Sequence, residues 1–200
     1  MNDHYYSREP ESASRPAACD FEYRGKRLRF ETDAGVFSRG EMDEGSRLLL
    51  KNMPADLRGD VLDLGCGWGA LGVSLGKAFP ETRITMTDVN LRALELSRRN
   101  AEANGVRARC LESDGLAALQ GCAFDMIVTN PPIRAGKAVI YRLFSEAAEA
   151  LKPEGALYLV IRKQQGAESC LKYLKTLFAS AERIDRDGGF WILRAAGALT

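Results

Sequence analysis

An asparagine and two prolines end the apolar run FDMIVT, and this triplet is able to hold an amino group for chemistry. The side-chain oxygen of Asn130 and the backbone carbonyl of Pro131 would both accept hydrogen bonds from an NH₂ group on a base or an amide. Such a nitrogen is a poor nucleophile, so orienting it and stabilising its developing positive charge would speed its attack. Pro131 and Pro132 would fix the backbone so that a carbonyl points into the site. The alternative interpretation is a simple end to a strand.

A second candidate segment is the glycine-rich DLGCGWG, which follows another short apolar run. Gly65 and Gly67 would let the backbone approach a ligand closely, and Gly69 would allow close packing of the next helix. The spacing GxGxG differs from the dinucleotide pattern GxGxxG, and Asp63 would disfavour a pyrophosphate at the helix N-terminus. The acid instead favours a ligand with a positively charged amino end.

Two further aspartates each follow an apolar run. Asp88 stands 21 residues after Gly67, where a carboxylate can accept hydrogen bonds from both hydroxyls of a ribose. Asp114 follows the next run and is placed to accept a hydrogen bond from an adenine amine. A solvated turn is the alternative for each motif alone, but the three in this order favour a nucleoside ligand.

These segments resemble the class I S-adenosylmethionine-dependent methyltransferases over roughly residues 35 to 195. The resemblance implies S-adenosylmethionine as the cofactor, S-adenosylhomocysteine as the product, and no metal. By the same resemblance residues 63–69, with Cys66 among them, hold the methionine portion. Asp88 and Val89 then hold the ribose, and residues 114 and 115 (Asp114 and Gly115) the adenine. Phe37 would cover the cofactor or the base, or would instead fill the core.

The string NPPIRAGK, together with DAGVFSRGEMDEGSRLLL, is similar to the small methyltransferase domain family of 16S rRNA guanine-N2 methyltransferases. This similarity implies transfer to a guanine N2 amine, with Asn130, Pro131 and Pro132 as the catalytic residues. Adenine-N6 and glutamine-N5 enzymes usually carry an aromatic residue where this chain has Ile133, so they are the less favoured alternatives. A non-catalytic cofactor-binding or RNA-binding module is the third. Fuller family members carry an additional N-terminal domain for which this chain has no room.

Cations near the triplet indicate an RNA partner, either ribosomal RNA or the small ribosomal subunit. Arg134 and Lys137 would hold the phosphates that flank a flipped guanine. A second cationic group, in FEYRGKRLRF, is expected to contact the phosphate backbone or simply to be solvated. Its members are Arg24, Lys26, Arg27 and Arg29. The chain could act as a monomer or a homodimer.

Composition argues against zinc-binding, disulfide-rich, secreted and membrane-spanning proteins. The net charge is +1, and the chain has one histidine and five cysteines without CxxC spacing, which disfavours a zinc site or a disulfide framework. The polar N-terminus lacks a signal-peptide pattern, and no apolar run is long enough for a membrane span. We therefore expect a cytoplasmic protein that needs no metal.

The elements that must position these residues alternate along the chain. Residues 1–18 are expected to be a flexible lead, residues 19–58 a small hairpin and a helix from about 41 to 52, and residues 59–200 the cofactor-binding core. In the hairpin, Leu28 and Phe30 should face inward. From residue 60 strands alternate with helices, which predicts a doubly wound, Rossmann-like α/β fold with a mostly parallel sheet. The closing ERIDRDGGFWILRA predicts a hairpin with an antiparallel strand at one edge.

Overall fold

The computed structural model describes Arg8 and residues 12–199. Within this range the chain forms a seven-stranded sheet, a separate two-stranded hairpin and five α-helices. The strands are β1 Ala17–Tyr23, β2 Lys26–Thr32, β3 Gly59–Leu64, β4 Thr82–Asp88, β5 Ala108–Glu112, β6 Phe124–Thr129, β7 Leu151–Arg162, β8 Phe178–Asp187 and β9 Phe190–Ala198. The helices are α1 Glu44–Lys51, α2 Ala70–Ala78, α3 Leu91–Ala103, α4 Lys137–Glu149 and α5 Ala167–Leu177.

The large sheet has the order β5-β4-β3-β6-β7-β9-β8. Strands β3 to β7 are parallel to one another, and the order reverses between β3 and β6. This confirms the doubly wound fold. The closing hairpin lies at one edge of the sheet, as expected: β9 pairs antiparallel with β7, and β8 pairs antiparallel with β9 on the outside. The inner position belongs to β9. It is the more apolar arm of the closing hairpin, so it takes the inner position and leaves the largely exposed β8 outside.

Both faces of the sheet are covered, as the apolar strands require. Val61 of β3 and Met126 of β6 pack in the core that includes α1, α2, α3 and the N-terminal hairpin. Their neighbours Leu62 and Ile127 pack in the second core, beneath α4 and α5. Because successive side chains point to opposite faces, each strand contributes to both cores and its carboxyl end is held rigidly.

The N-terminal hairpin begins earlier than expected. Strand β1 starts at Ala17, and the Ser14 hydroxyl and the Arg15 amide donate hydrogen bonds to Asp33, so the expected flexible lead extends too far. Residues 1–7 and 9–11 of that lead lie outside the described residues. In β2, Leu28 and Phe30 are buried as predicted.

Helix α1 begins at Glu44, three residues later than expected, because Asp43 caps it. The Asp43 side chain accepts a hydrogen bond from the Ser46 amide at 3.1 Å, which satisfies one of the unpaired N–H groups of the first turn. Gly45 lies so near β9 that a Cβ there would be 2.9 Å from the Phe190 ring. This close approach brings the N-terminus of α1 to the carboxyl edge of the sheet.

Candidate active site

A cleft opens at the carboxyl edge of the sheet, where the strand order reverses, the position at which open α/β sheets bind ligands. It encloses about 890 Å³ of empty space that is continuous with solvent. Ten of the residues named from sequence line it: Phe37, Asp63, Gly65, Cys66, Gly67, Asp88, Val89, Gly115, Asn130 and Pro132.

Asp63, at the end of β3, carries an unsatisfied oxygen in this cleft. Its side chain is buried, with 1% exposure, and its Oδ2 accepts a hydrogen bond from the Gly72 amide at 2.7 Å. Its Oδ1 is buried without a hydrogen-bond partner among the described residues. Burial raises the pKa of Asp63 to about 7, the Gly72 N–H opposes the rise, and the nearby Asp88 charge adds to it. A cationic ligand group would satisfy this oxygen and restore the charged form.

The glycine loop after β3 is held by Asp88 of β4. Oδ2 of Asp88 accepts from the Gly67 amide at 2.8 Å, and Oδ1 accepts from the Asn90 amide at 2.9 Å. Burial raises the pKa of Asp88, and these backbone N–H groups oppose the rise. Gly65 and Gly67 have φ of 71° and 55°, and a Cβ at either would meet no atom within 4 Å. The loop backbone is therefore open to a ligand.

Two predicted cofactor residues do not line the cleft. Gly69 instead starts α2 with φ of 88°, and a Cβ there would lie 3.3 Å from the backbone of Ser97, which supports its expected packing role. Asp114 is exposed, and its carboxylate accepts a hydrogen bond from Arg142 of α4 at 2.6 Å. This ion pair draws the side chain toward α4, and Ser113 lines the cleft beside Gly115 in its place.

Asn130 follows β6 and is held by the first turn of α1. Its Nδ2 donates to Asp43 Oδ1 and to Ser46 Oγ, each at 3.2 Å. Its Oδ1 accepts no hydrogen bond from any described residue, so this oxygen remains available to a ligand. Pro132 lines the cleft, whereas Pro131 is buried and does not. The role of the Pro131 carbonyl therefore stays a prediction.

Sequence reasoning missed Asp43 and Ser46, which also line the cleft. The pattern DEGS contains a local signal for a helix N-cap, and using that signal would have corrected the expected start of α1 from about residue 41 to Glu44. It contains nothing about the contact with Asn130, which is 87 residues away from Asp43.

Phe37 stands at the mouth of the cleft on the loop between β2 and α1. The residue is 40% exposed, which excludes the expectation that it fills the core. The loop is fixed through its backbone, because the Trp68 indole donates to the Phe37 carbonyl at 2.8 Å and Asn90 donates to the Gly35 carbonyl at 2.9 Å. The ring is therefore presented to the cleft from a restrained backbone.

The predicted cations divide into two regions. Arg134 and Lys137 are exposed just beyond Asn130, with the Lys137 ammonium 5.0 Å from the centroid of the Tyr141 ring. The hairpin turn lies at the other end of α2, because Arg24 stacks over Phe79, the residue that caps the C-terminus of that helix. The length of α2 separates the turn from the cleft by roughly 13 Å.

Arg24 is the one predicted RNA contact with an evident structural use. Its guanidinium donates hydrogen bonds to the backbone carbonyls of Met53 and Pro54 and lies 4.8 Å from the centroid of the Phe79 ring. These contacts tie the hairpin to the segment after α1, so the expectation that Arg24 binds phosphate is not supported. The other three hairpin cations, Lys26, Arg27 and Arg29, are exposed.

Two other kinds of feature are absent from the described part of the chain. No group of three or more His, Cys, Asp or Glu side chains is arranged to hold a metal ion among residues 8 and 12–199. No helix of that part is both long and apolar enough to cross a membrane.

Comparisons with known proteins agree with this geometry. The model of the methyltransferase small domain family matches residues 27–194. The chain is 42% identical over 198 residues to the uncharacterized protein YbxB of Bacillus subtilis, and the match covers 98% of both chains. It is 43% identical over 141 residues to ribosomal RNA small subunit methyltransferase C of Hahella chejuensis, covering 68% of this chain and 41% of that protein.

A solved structure agrees with the match to the methyltransferase small domain family. The T. thermophilus 16S rRNA N2 methyltransferase RsmC, determined in complex with AdoMet and guanosine, superposes with a TM-score of 0.81 at 30% identity. The match covers 90% of this chain and 50% of that one. The chain thus spans about half the length of the rRNA methyltransferases that it matches.

Proposed function

Because this chain belongs to the methyltransferase small domain family and is an S-adenosylmethionine-dependent methyltransferase, we propose that it methylates the exocyclic N2 amine of a guanine in small-subunit ribosomal RNA. The observation that carries the proposal is the pairing of two unsatisfied oxygens in one cleft. Asp63 Oδ1 suits a cation on the cofactor, and Asn130 Oδ1 suits an amine on the substrate.

The residues of the cleft fit S-adenosylmethionine. Asp63 would pair with its ammonium group, the backbone at Gly65 and Gly67 would lie against its methionine portion, and Asp88 would accept from its ribose hydroxyls. Gly115 would line the adenine end, where the exposed Asp114 would contribute only if it left Arg142. When bound, the cofactor supplies an electrophilic methyl group.

Asn130 would orient the substrate nitrogen. Its Oδ1 accepts one amine hydrogen, and the Pro131 carbonyl is proposed to accept the other. Two acceptors on the same NH₂ group fix the direction of the nitrogen lone pair and stabilise the positive charge that develops on it during attack. Pro132 forms part of the wall beside this position.

Ribosomal RNA is proposed as the substrate from the names of the relatives and from the cations near the cleft. Arg134 and Lys137 would contact the phosphates next to the target nucleotide. Lys26, Arg27 and Arg29 would contact RNA farther away, since the hairpin turn lies beyond the opposite end of α2. Such a substrate is consistent with a cytoplasmic protein.

The test is methyl transfer followed by identification of the product. Purified protein is incubated with labelled S-adenosylmethionine and either naked 16S rRNA or small subunits from a strain that lacks the gene, and the RNA is digested for nucleoside mass spectrometry. We expect label in N2-methylguanosine. Large subunits and total protein serve as parallel acceptors. Label in N6-methyladenosine, in a glutamine side chain, or in no acceptor at all would overturn the proposed function.

A further inference from the structure

We propose that Asp43 recognises the ring N1–H of the target guanine and thereby excludes other amines that the Asn130 site could hold. The inference rests on the proposed function and deepens it. It assigns a specificity role to a residue of α1, outside the glycine loop and the Asn-Pro-Pro triplet.

The two oxygens of Asp43 have different environments. Oδ1 accepts two hydrogen bonds, from the Ser46 amide at 3.1 Å and from Asn130 Nδ2 at 3.2 Å. Oδ2 accepts none from any described residue, although the side chain is half-buried and lines the cleft. A half-buried carboxylate with one engaged oxygen and one open oxygen can accept a donor from a bound substrate.

No described cation forms an ion pair with Asp43. The nearest basic side chain along the helix, Arg47, donates to the Met42 carbonyl and lies 5.0 Å from the centroid of the Phe21 ring. Glu44, the adjacent acid, is exposed. Asp43 therefore lines the cleft without an ion-pair partner among the described residues.

Asp43 also determines which way the Asn130 amide faces. An ionised carboxylate can only accept hydrogen bonds, so the NH₂ end of Asn130 must face Asp43. The flipped amide would place two oxygens against each other. Asn130 Oδ1 is consequently left as an acceptor, on a residue whose amide nitrogen contacts Asp43 directly. Both residues line the cleft, so we take Asn130 Oδ1 and Asp43 Oδ2 as the two acceptors that meet the substrate.

This pair of acceptors matches guanine among the candidate amines. In guanine the exocyclic N2 amine stands between the ring N1–H, a donor, and N3, an acceptor, so the N1 side of the base presents two adjacent donors. Adenine N6 and cytosine N4 instead stand next to a ring nitrogen that accepts, and the glutamine amide nitrogen stands next to a carbonyl oxygen. Each of these acceptor atoms would be repelled by the carboxylate. Discrimination of this kind is effective because the wrong ligand leaves buried polar groups unpaired.

The test uses Asp43→Asn and a base that differs at N1. Asparagine is as good an N-cap as aspartate, and the Ser46 amide would keep its oxygen in place, so α1 should form normally. The substitution replaces the open oxygen with an NH₂ donor. The substrate is the RNA or subunit that shows activity, with the target guanine replaced through a ligated synthetic segment by 2-aminopurine, which keeps the C2 amine but has an acceptor at N1.

We expect the wild-type protein to prefer guanine to 2-aminopurine in kcat/KM by roughly ten- to hundredfold, and Asp43→Asn to remove most of that preference. Affinity for S-adenosylmethionine should stay within about twofold, since Asp43 is not among the residues assigned to the cofactor. Because two proteins are compared on the same two substrates, other differences between the bases cancel.

Ser46→Ala is the matched control. It removes one of the two bonds to Asn130 but leaves the open oxygen of Asp43, so it should lower turnover on both bases equally and keep their ratio. An unchanged base preference in Asp43→Asn, or a wild-type protein that methylates both bases equally well, would overturn the inference while leaving the proposed function intact. Failure of wild-type protein to methylate any guanine would instead remove the proposed function.

Discussion

The two walls of the cleft are assembled differently. We call the wall that would face the methyl donor the donor wall, and the wall that would face the methylated amine the acceptor wall. The donor wall, formed by Asp63, Gly65, Gly67 and Asp88, comes from β3, β4 and the glycine loop after β3. Its carboxylates are held by backbone amides of that loop, of the first turn of α2 and of the residue that caps α3. The acceptor wall, formed by Asn130, Asp43 and Ser46, joins β6 to α1 through side-chain hydrogen bonds across 84 and 87 residues of chain.

This difference separates the functions of the walls. Backbone amides hold the donor wall regardless of most side chains nearby, so the cofactor site can form within the core of the sheet. The acceptor wall requires α1 to dock on β7 and β9, and its two parts are joined by hydrogen bonds between side chains. Changes to the donor wall should therefore alter cofactor affinity, whereas changes to the acceptor wall should alter transfer and base choice.

The largest effect is expected at Asn130. Asn130→Ala removes the oriented acceptor and should lower kcat by roughly 10²- to 10³-fold or more, the loss typical of a deleted charge-stabilising group. Cofactor affinity, measured by calorimetry, should change only a few fold. Substantial activity in the variant would assign orientation of the amine to another group, and a large loss of cofactor affinity would show that the two walls are not independent.

The next effect is expected at Asp63. Asp63→Asn keeps the size of the side chain and the bond from Gly72 but removes the charge that would pair with the cofactor ammonium. We expect S-adenosylmethionine affinity to fall roughly ten- to hundredfold, as when one partner of a charged hydrogen bond is removed. Transfer at saturating cofactor should largely recover. A loss of kcat without a change in affinity would contradict the assignment.

The pH dependence of cofactor binding tests the same carboxyl group. With its pKa raised to about 7, Asp63 is partly protonated at neutral pH in the unliganded protein, and only its charged form pairs with an ammonium group. Affinity should fall as the pH is lowered from about 7.5 to about 5.5, by up to about tenfold per unit below the pKa. In Asp63→Asn this acid limb should disappear, and persistence of the limb would assign it to Asp88.

The same pKa has a consequence for unliganded stability. Because the folded-state pKa of Asp63 lies above the ordinary value of 3.8, the folded state holds a proton that the unfolded state releases first. The contribution of Asp63 to the free energy of unfolding should therefore decrease as the pH rises from about 4 to about 7. Thermal unfolding of wild type and Asp63→Asn across this range measures the difference, which saturating cofactor should reduce.

Sequence predicts the donor wall better than the acceptor wall for a physical reason. Asp63, Gly67 and Asp88 each end or follow a buried strand, and parallel strands bring such positions to one edge. The orientation of a long side chain is instead decided by partners distant in the chain. Asp114 accepts a hydrogen bond from Arg142. Arg24 donates to the carbonyls of Met53 and Pro54 and stacks over Phe79. No local sequence pattern indicates any of these contacts.

The dependence of side-chain contacts on residues distant in the chain also explains why the sequence did not reveal the role of Asp43. A capping aspartate at the start of α1 has a local signature, but its second hydrogen bond depends on where β6 ends. The closing hairpin was predicted at an edge, but which of its two strands pairs with β7 depends on burial against that strand. Element types are therefore predictable from spacing, and side-chain partnerships across elements are not.

The smallest effects on methyl transfer are expected at the two cationic regions, which are proposed to bind RNA. Arg134→Ala with Lys137→Ala removes two charges beside Asn130, and Lys26→Ala with Arg27→Ala removes two at the hairpin, so the variants are matched in net charge. For each phosphate that the protein no longer neutralises, the dependence of RNA affinity on salt should flatten by about 0.7 in slope for single-stranded RNA.

The two variants should differ in turnover at saturating RNA. On the proposed function Arg134 and Lys137 would help to hold the flipped base, so their double variant should lose several-fold in kcat as well as affinity. Contacts at the far end of α2 would only retain the RNA, so the Lys26 and Arg27 variant should weaken binding and keep kcat. Equal losses of kcat would indicate that RNA bound at the hairpin also orients the target base, which would connect the hairpin to the acceptor wall. An unchanged salt slope in either variant would remove that region from the RNA interface.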